Sequence, residues 1–148
     1  MVEIDINYNG ELHTTAKHLQ SGAVIETDAP VDNQGKGEAF SPTDLCASSL
    51  GVCMLTILGI VAKNNDIDLG EVEGKVKKEM SPDLPRRISK ISINFEIPLS
   101  SNHPKKDLIE DAMLNCPVHH SLHPEIEKNI ILLGRRIEFN QMTPASDR

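Results

Sequence analysis

Residues 41–64 read Ser-Pro-Thr-Asp-Leu-Cys-Ala-Ser-Ser-Leu-Gly-Val-Cys-Met-Leu-Thr-Ile-Leu-Gly-Ile-Val-Ala-Lys-Asn. The first four residues are a helix start: Ser41 at the cap, Pro42 at the first helical position and Asp44 at the third. From Leu45 to Ala62 no residue is charged, a run just long enough to span a bilayer. Ser48, Ser49, Gly51, Thr56 and Gly59 dilute it, and no aromatic belt flanks it. The segment therefore reads as a long buried central helix rather than a membrane span. A helix apolar all round needs cover on every side, which a small domain does not readily supply alone. A homodimer burying part of the helix is the natural solution.

Outward from this helix the pattern changes to a period of two, the signature of half-buried strands. Val2, Ile4, Ile6 and Tyr8 alternate with Glu3, Asp5 and Asn7, and Asn9-Gly10 signals a hairpin turn. Further strands are expected over Leu12–Ala16 and Ala23–Thr27, before a loop over Asp28–Gly37. On the far side, Val72, Gly74 and Val76 form one strand face. Ile91, Ile93, Phe95 and Ile97 give the clearest strand in the chain. Leu108, Ile109, Ala112 and Met113 have helical spacing, and Pro117 opens a short helix that Pro124 ends. A final strand is expected over Ile130–Phe139, followed by a polar tail. Strands in runs, joined by tight turns, predict α+β with antiparallel sheets.

The chain has 148 residues, which suits a single domain over 1–148. The apolar share is 39% with only 3% aromatic, so the core is aliphatic. A net charge of −7, with no basic stripe and only isolated pairs such as Lys77-Lys78, Arg86-Arg87 and Arg135-Arg136, opposes nucleic acid and anionic membrane as partners. The acidic, alternating N-terminus is unlike an export signal, and a cytoplasmic setting is expected. Three cysteines in that setting are reduced unless they are catalytic or bind metal.

Cys46 and Cys53 lie seven residues apart on nearly one helix face, about 10 Å apart along the axis, too far to pair. The plain reading of Cys46 is a small buried hydrophobe. Cys116-Pro117 opens the short helix and places the sulfur near unpaired N–H groups, which favours thiolate; an ordinary cap position is the rival reading. His119, His120 and His123 follow. His120 is one helical turn from Cys116 and a candidate source of positive charge. Cys116, His119 and His123 together have the types for a metal site, but Pro124 breaks the helix and no Cys-x-x-Cys accompanies them. No metal or cofactor is expected.

Phe40-Ser41-Pro42-Thr43-Asp44-Leu45, Cys53 in a small-residue helix, and Asn115-Cys116-Pro117-Val118 together resemble the OsmC/Ohr family, the osmotically inducible and organic hydroperoxide resistance proteins. The order of elements resembles it too. The resemblance implies an intertwined homodimer acting as a thiol peroxidase in oxidative stress defence. Cys53 would be the peroxidatic and Cys116 the resolving thiol, with an organic hydroperoxide as substrate and an external dithiol, often lipoyl, as reductant. Leu50, Met54, Ile57 and the dimer mate would line an apolar chamber. Family peroxidases set an N-terminal Arg, held by a Glu, beside the thiol. This chain has no Arg before Arg86 and carries Thr43 where the Glu falls. Lys17, His18 and Asp44 are the charged residues nearest in position that could support the site. The alternative is an OsmC-like binding protein for an apolar small molecule, without turnover.

Overall fold

The computed structural model describes residues 1–138. It divides into two compact units, Met1–Cys46 and the chain from Ala47 onward. The first holds three antiparallel strands, β1 (Ile4–Gly10), β2 (His13–His18) and β3 (Val24–Asp28), in the order β1-β2-β3. The expected hairpin is present, but β1 runs through Gly10 and the turn falls on Glu11 and Leu12, both at positive φ. The register sets Ile6, Ala16 and Ile25 abreast on one face. Ile6 is 79% and Ile25 49% exposed. Two β-branched side chains at the ends of one row stand in water, which a single chain does not account for.

The helix α1 spans Pro42–Asn64. Its start is a reciprocal capping box: the Asp44 N–H donates to Ser41 Oγ at 3.1 Å, and the Ser41 N–H donates to Asp44 Oδ2 at 2.8 Å. Within one chain the helix is covered on one face only, as expected of a domain too small to enclose it. Ala47, Leu50, Gly51, Met54, Leu58 and Ala62 are buried at i, i+3, i+4 spacing, whereas Val52 is 63% and Ile60 50% exposed. By length and composition the helix passes for a membrane span; as folded it buries one face.

That face packs on a second sheet, ordered β4-β5-β6-β7: β4 (Glu73–Met80), β5 (Ile88–Glu96), β6 (Glu127–Leu132) and β7 (Arg135–Glu138). Two expectations fail here. The sheet is mixed, because β5 and β6 run parallel; the helical segment between them is long enough for a crossover, which a tight turn is not. The single strand expected over Ile130–Phe139 is a hairpin, turned at Leu133 and Gly134, both at positive φ. Phe139 and the tail lie outside the described residues.

Pairing sets Val76, Ile93, Ile130 and Ile137 in one row across all four strands. This row meets α1 closely. A Cβ on Gly51 would stand 2.9 Å from the Val76 Cγ2 methyl, so the close approach of helix to sheet at this point requires glycine. α2 (Lys106–Leu114) adds Ile109 and Met113 to the same core, and α3 (Pro117–Ser121) follows it directly.

A candidate thiol site

Cys53 projects from the middle of α1, half-buried, and packs against the core. Cys116 is fully buried in that core at 0% exposure. The two thiols are close enough to act on each other, and no disulfide joins them. The tertiary fold thus brings together residues 53 and 116. Cys46, expected to be buried, is instead exposed, although the buried face begins at the next residue, Ala47.

Cys116 is the N-cap of α3, as its place before Pro117 predicts. The His119 N–H donates to its sulfur at 3.4 Å. The expected fall in thiol pKa does not follow. Burial pushes the Cys116 thiol up, and the neighbouring Cys53 pushes it further; the N–H groups of His119 and Val118 only partly offset this. Desolvating a thiolate outweighs the partial charge at one helical turn.

The two histidines that follow Cys116 differ in setting. His119 is kept neutral, its pKa lowered by burial and by the charges of Lys128 and His120. His120 is exposed; its backbone N–H donates to the Cys116 carbonyl at 3.4 Å, and its ring stands edge-on to that of His119 at 5.3 Å. Among the described residues no three His, Cys, Asp or Glu are placed to hold a metal ion. Leu50 and Met54, expected to line an apolar chamber, are both at 0% exposure and packed in the core.

Of the other residues considered, Lys17 is exposed on β2 opposite Val24. His18 holds Ser21, Nδ1 to Oγ, at 2.6 Å. The Asp44 carboxylate is used by the capping box. Two features escape the sequence reading. His13 Nδ1 meets the buried Asp28 carboxylate at 2.5 Å beside a polar pocket of about 310 Å³. Lys128 is buried on the inner face of β6; the alternation Lys128, Ile130, Leu132 was the available signal.

A single antiparallel three-stranded sheet, a long helix packed on a mixed four-stranded sheet, and two neighbouring thiols at the helix define an α+β protein with a candidate dithiol centre. The sequence profile of the OsmC-like protein family matches residues 35–130, and the chain belongs to that family. A protein of Psychrobacter arcticus 273-4, proposed to act in an osmotic stress and detoxification response, is 46% identical, with a TM-score of 0.82 over 88% of this chain and 95% of that one. An organic hydroperoxide resistance protein OsmC of Legionella pneumophila shares the fold at 16% identity and a TM-score of 0.70, covering 88% and 95% of the two chains. An uncharacterized protein of Methanocaldococcus jannaschii is 34% identical over 105 residues. That match takes in 66% of this chain but spans about half, 54%, of the archaeal protein.

Proposed function

We propose that this chain is a thiol-dependent peroxidase for organic hydroperoxides, working through Cys53 and Cys116. The observation that carries the reading is the proximity of these two thiols, distant in the chain and gathered at one core cluster only by folding. The Cys53 thiolate attacks the distal peroxide oxygen, the O–O bond breaks, and the alkoxide leaves as alcohol after taking a proton. Cys53 is then a sulfenic acid. Cys116 sulfur attacks it, expelling water and forming the Cys53–Cys116 disulfide. An external dithiol, lipoyl in chemistry, reduces that disulfide and is itself oxidised to a cyclic disulfide. Cumene hydroperoxide added to the reduced protein is expected to consume two thiols per chain and form this one bridge. If two thiols are not lost, the reading fails.

Because burial raises the Cys116 thiol, only a small fraction is thiolate at neutral pH. Disulfide closure is therefore expected to quicken as pH rises through and beyond the ordinary thiol range, about 8.5. Rapid-quench mass spectrometry across pH reads this directly. A closure rate that levels off below that range contradicts it.

The proposal includes a single OsmC-like domain over 1–148, a homodimer and a cytoplasmic setting. The exposed Ile6 and Ile25, abreast across β2, and the exposed Val52 and Ile60 support the dimer, since association removes them from water. Ile6→Asp is expected to convert the dimer to a monomer in sedimentation velocity, with the monomer's helical circular dichroism unchanged. A wild-type chain that sediments as a monomer refutes the dimer.

The lack of any arginine before Arg86 favours a second reading, an apolar ligand held without turnover. Steady-state peroxide consumption with dihydrolipoamide, no faster than with free thiol, would select it.

A further inference from the structure

Lys128 stands where its strand calls for an apolar residue. Inner-facing positions of β6 alternate through Lys128, Ile130 and Leu132, and the pairing sets Lys128 beside Ile91 in the core. The residue is only 5% exposed. Its ammonium donates to the Ile126 carbonyl at 3.0 Å and the His123 carbonyl at 3.5 Å. Burial lowers its pKa, and no carboxylate among the described residues counters that. A buried charge held by carbonyls alone costs several kcal/mol in desolvation, and an apolar residue of similar volume is often equal or better for stability. Stability is therefore a poor reason for a lysine here.

The two carbonyls show what the ammonium organises. They belong to the segment that leaves α3, and α3 is capped at its start by Cys116. Inside the segment the Leu122 N–H donates to the Val118 carbonyl at 3.1 Å, and the Ile126 N–H to the His123 carbonyl at 3.1 Å. A five-residue helix has few bonds of its own. Lys128 fastens its exit to β6, while Cys116 fastens its entry. The ammonium is also close enough to act on His119, whose N–H donates to the Cys116 sulfur.

We propose that Lys128 is a positioning residue for disulfide closure: its ammonium clasps the carbonyls of His123 and Ile126 and so holds α3 with the Cys116 sulfur against Cys53. This rests on the Cys53–Cys116 reading. The step it serves is the balanced condensation in which the Cys116 thiol and the Cys53 sulfenic acid give a disulfide and water. Lys128 does not touch the reacting atoms, so the first step, attack of Cys53 on peroxide, is independent of it.

The test compares Lys128→Met and Lys128→Arg with the wild-type chain. Met keeps the stem and loses the donor; Arg keeps donors. With cumene hydroperoxide, the rate of Cys53 sulfenate formation, trapped by a dimedone probe, is expected to be unchanged in both. Disulfide closure is expected to slow at least tenfold in Lys128→Met, with more Cys53 passing to sulfinic acid, and to recover in Lys128→Arg. The glutathione equilibrium of the disulfide, which needs no peroxide, is expected to shift tenfold toward the dithiol in Lys128→Met, or about 30 mV. The melting temperature of Lys128→Met should be no lower than wild type.

Closure within twofold of wild type in Lys128→Met overturns the proposal. So does a Met variant that unfolds or melts lower, because the ammonium is then simply part of the core. A wild-type chain that forms no sulfenate defeats the peroxidase reading instead, and the glutathione equilibrium still decides the clasp.

Discussion

Cys53→Ser is expected to abolish hydroperoxide reduction. A serine hydroxyl cannot take the peroxide oxygen reversibly, so no sulfenic acid and no bridge can form. With dihydrolipoamide as reductant, turnover should fall at least roughly a thousandfold, equal to about 4 kcal/mol of barrier. The variant should fold normally, because Cys53 is half-buried and serine is close in size. Cys116→Ser should behave differently. It is expected to lose steady-state turnover while keeping one peroxide-consuming event, with Cys53 accumulating as sulfenic and then sulfinic acid. Cys46→Ser should leave all of this intact, since Cys46 is exposed and outside the thiol pair. Mass spectrometry of each variant after one equivalent of cumene hydroperoxide separates the three outcomes. A Cys53→Ser chain that retains the wild-type rate removes the thiol chemistry altogether.

The second large effect is on stability. Leu50 is at 0% exposure on the face of α1 that meets the sheet, in the cluster with Ile91 and Ile93. Leu50→Ala removes buried methyl groups and leaves a cavity between two rigid elements. The expected loss is about 2–5 kcal/mol, against a total of roughly 5–15 kcal/mol for a natural domain. Urea unfolding should show a lower midpoint with an unchanged slope. A midpoint that does not move means α1 is not seated on the sheet through Leu50. Val52→Ala on the exposed face provides the contrast: it should act chiefly through association, and so depend on protein concentration.

Much of this protein is legible one segment at a time. Ser41, Pro42 and Asp44 mark the start of α1 because a capping box is built from neighbours, and it forms with both reciprocal bonds. The alternation through Ile91, Ile93 and Phe95 marks β5 because a strand shows its two faces residue by residue. Cys116 is readable as a helix cap from Pro117 alone. The Ser-Pro-Thr-Asp, Cys53 and Cys-Pro-Val sequence places the chain in its family, and the profile match agrees.

The remainder belongs to partners far apart in the chain. Local alternation cannot distinguish a parallel from an antiparallel neighbour, so the pairing of β5 with β6 came only with the fold. The unbroken apolar run of α1 hides which third of the helix meets the sheet, because composition carries no direction when every face is apolar. The same holds for the electrostatics of the thiols. A cap position argues for a lowered Cys116 pKa, and burial beside Cys53 raises it, because desolvation is summed over everything packed around an atom. Lys128 is the sharpest case. A lysine in a strand is ordinarily taken to face water, and only the packing of β6 against the core turned its ammonium inward onto two carbonyls. Short-range bonding and periodicity are written along the chain; which surfaces lose their water is settled by assembly in three dimensions.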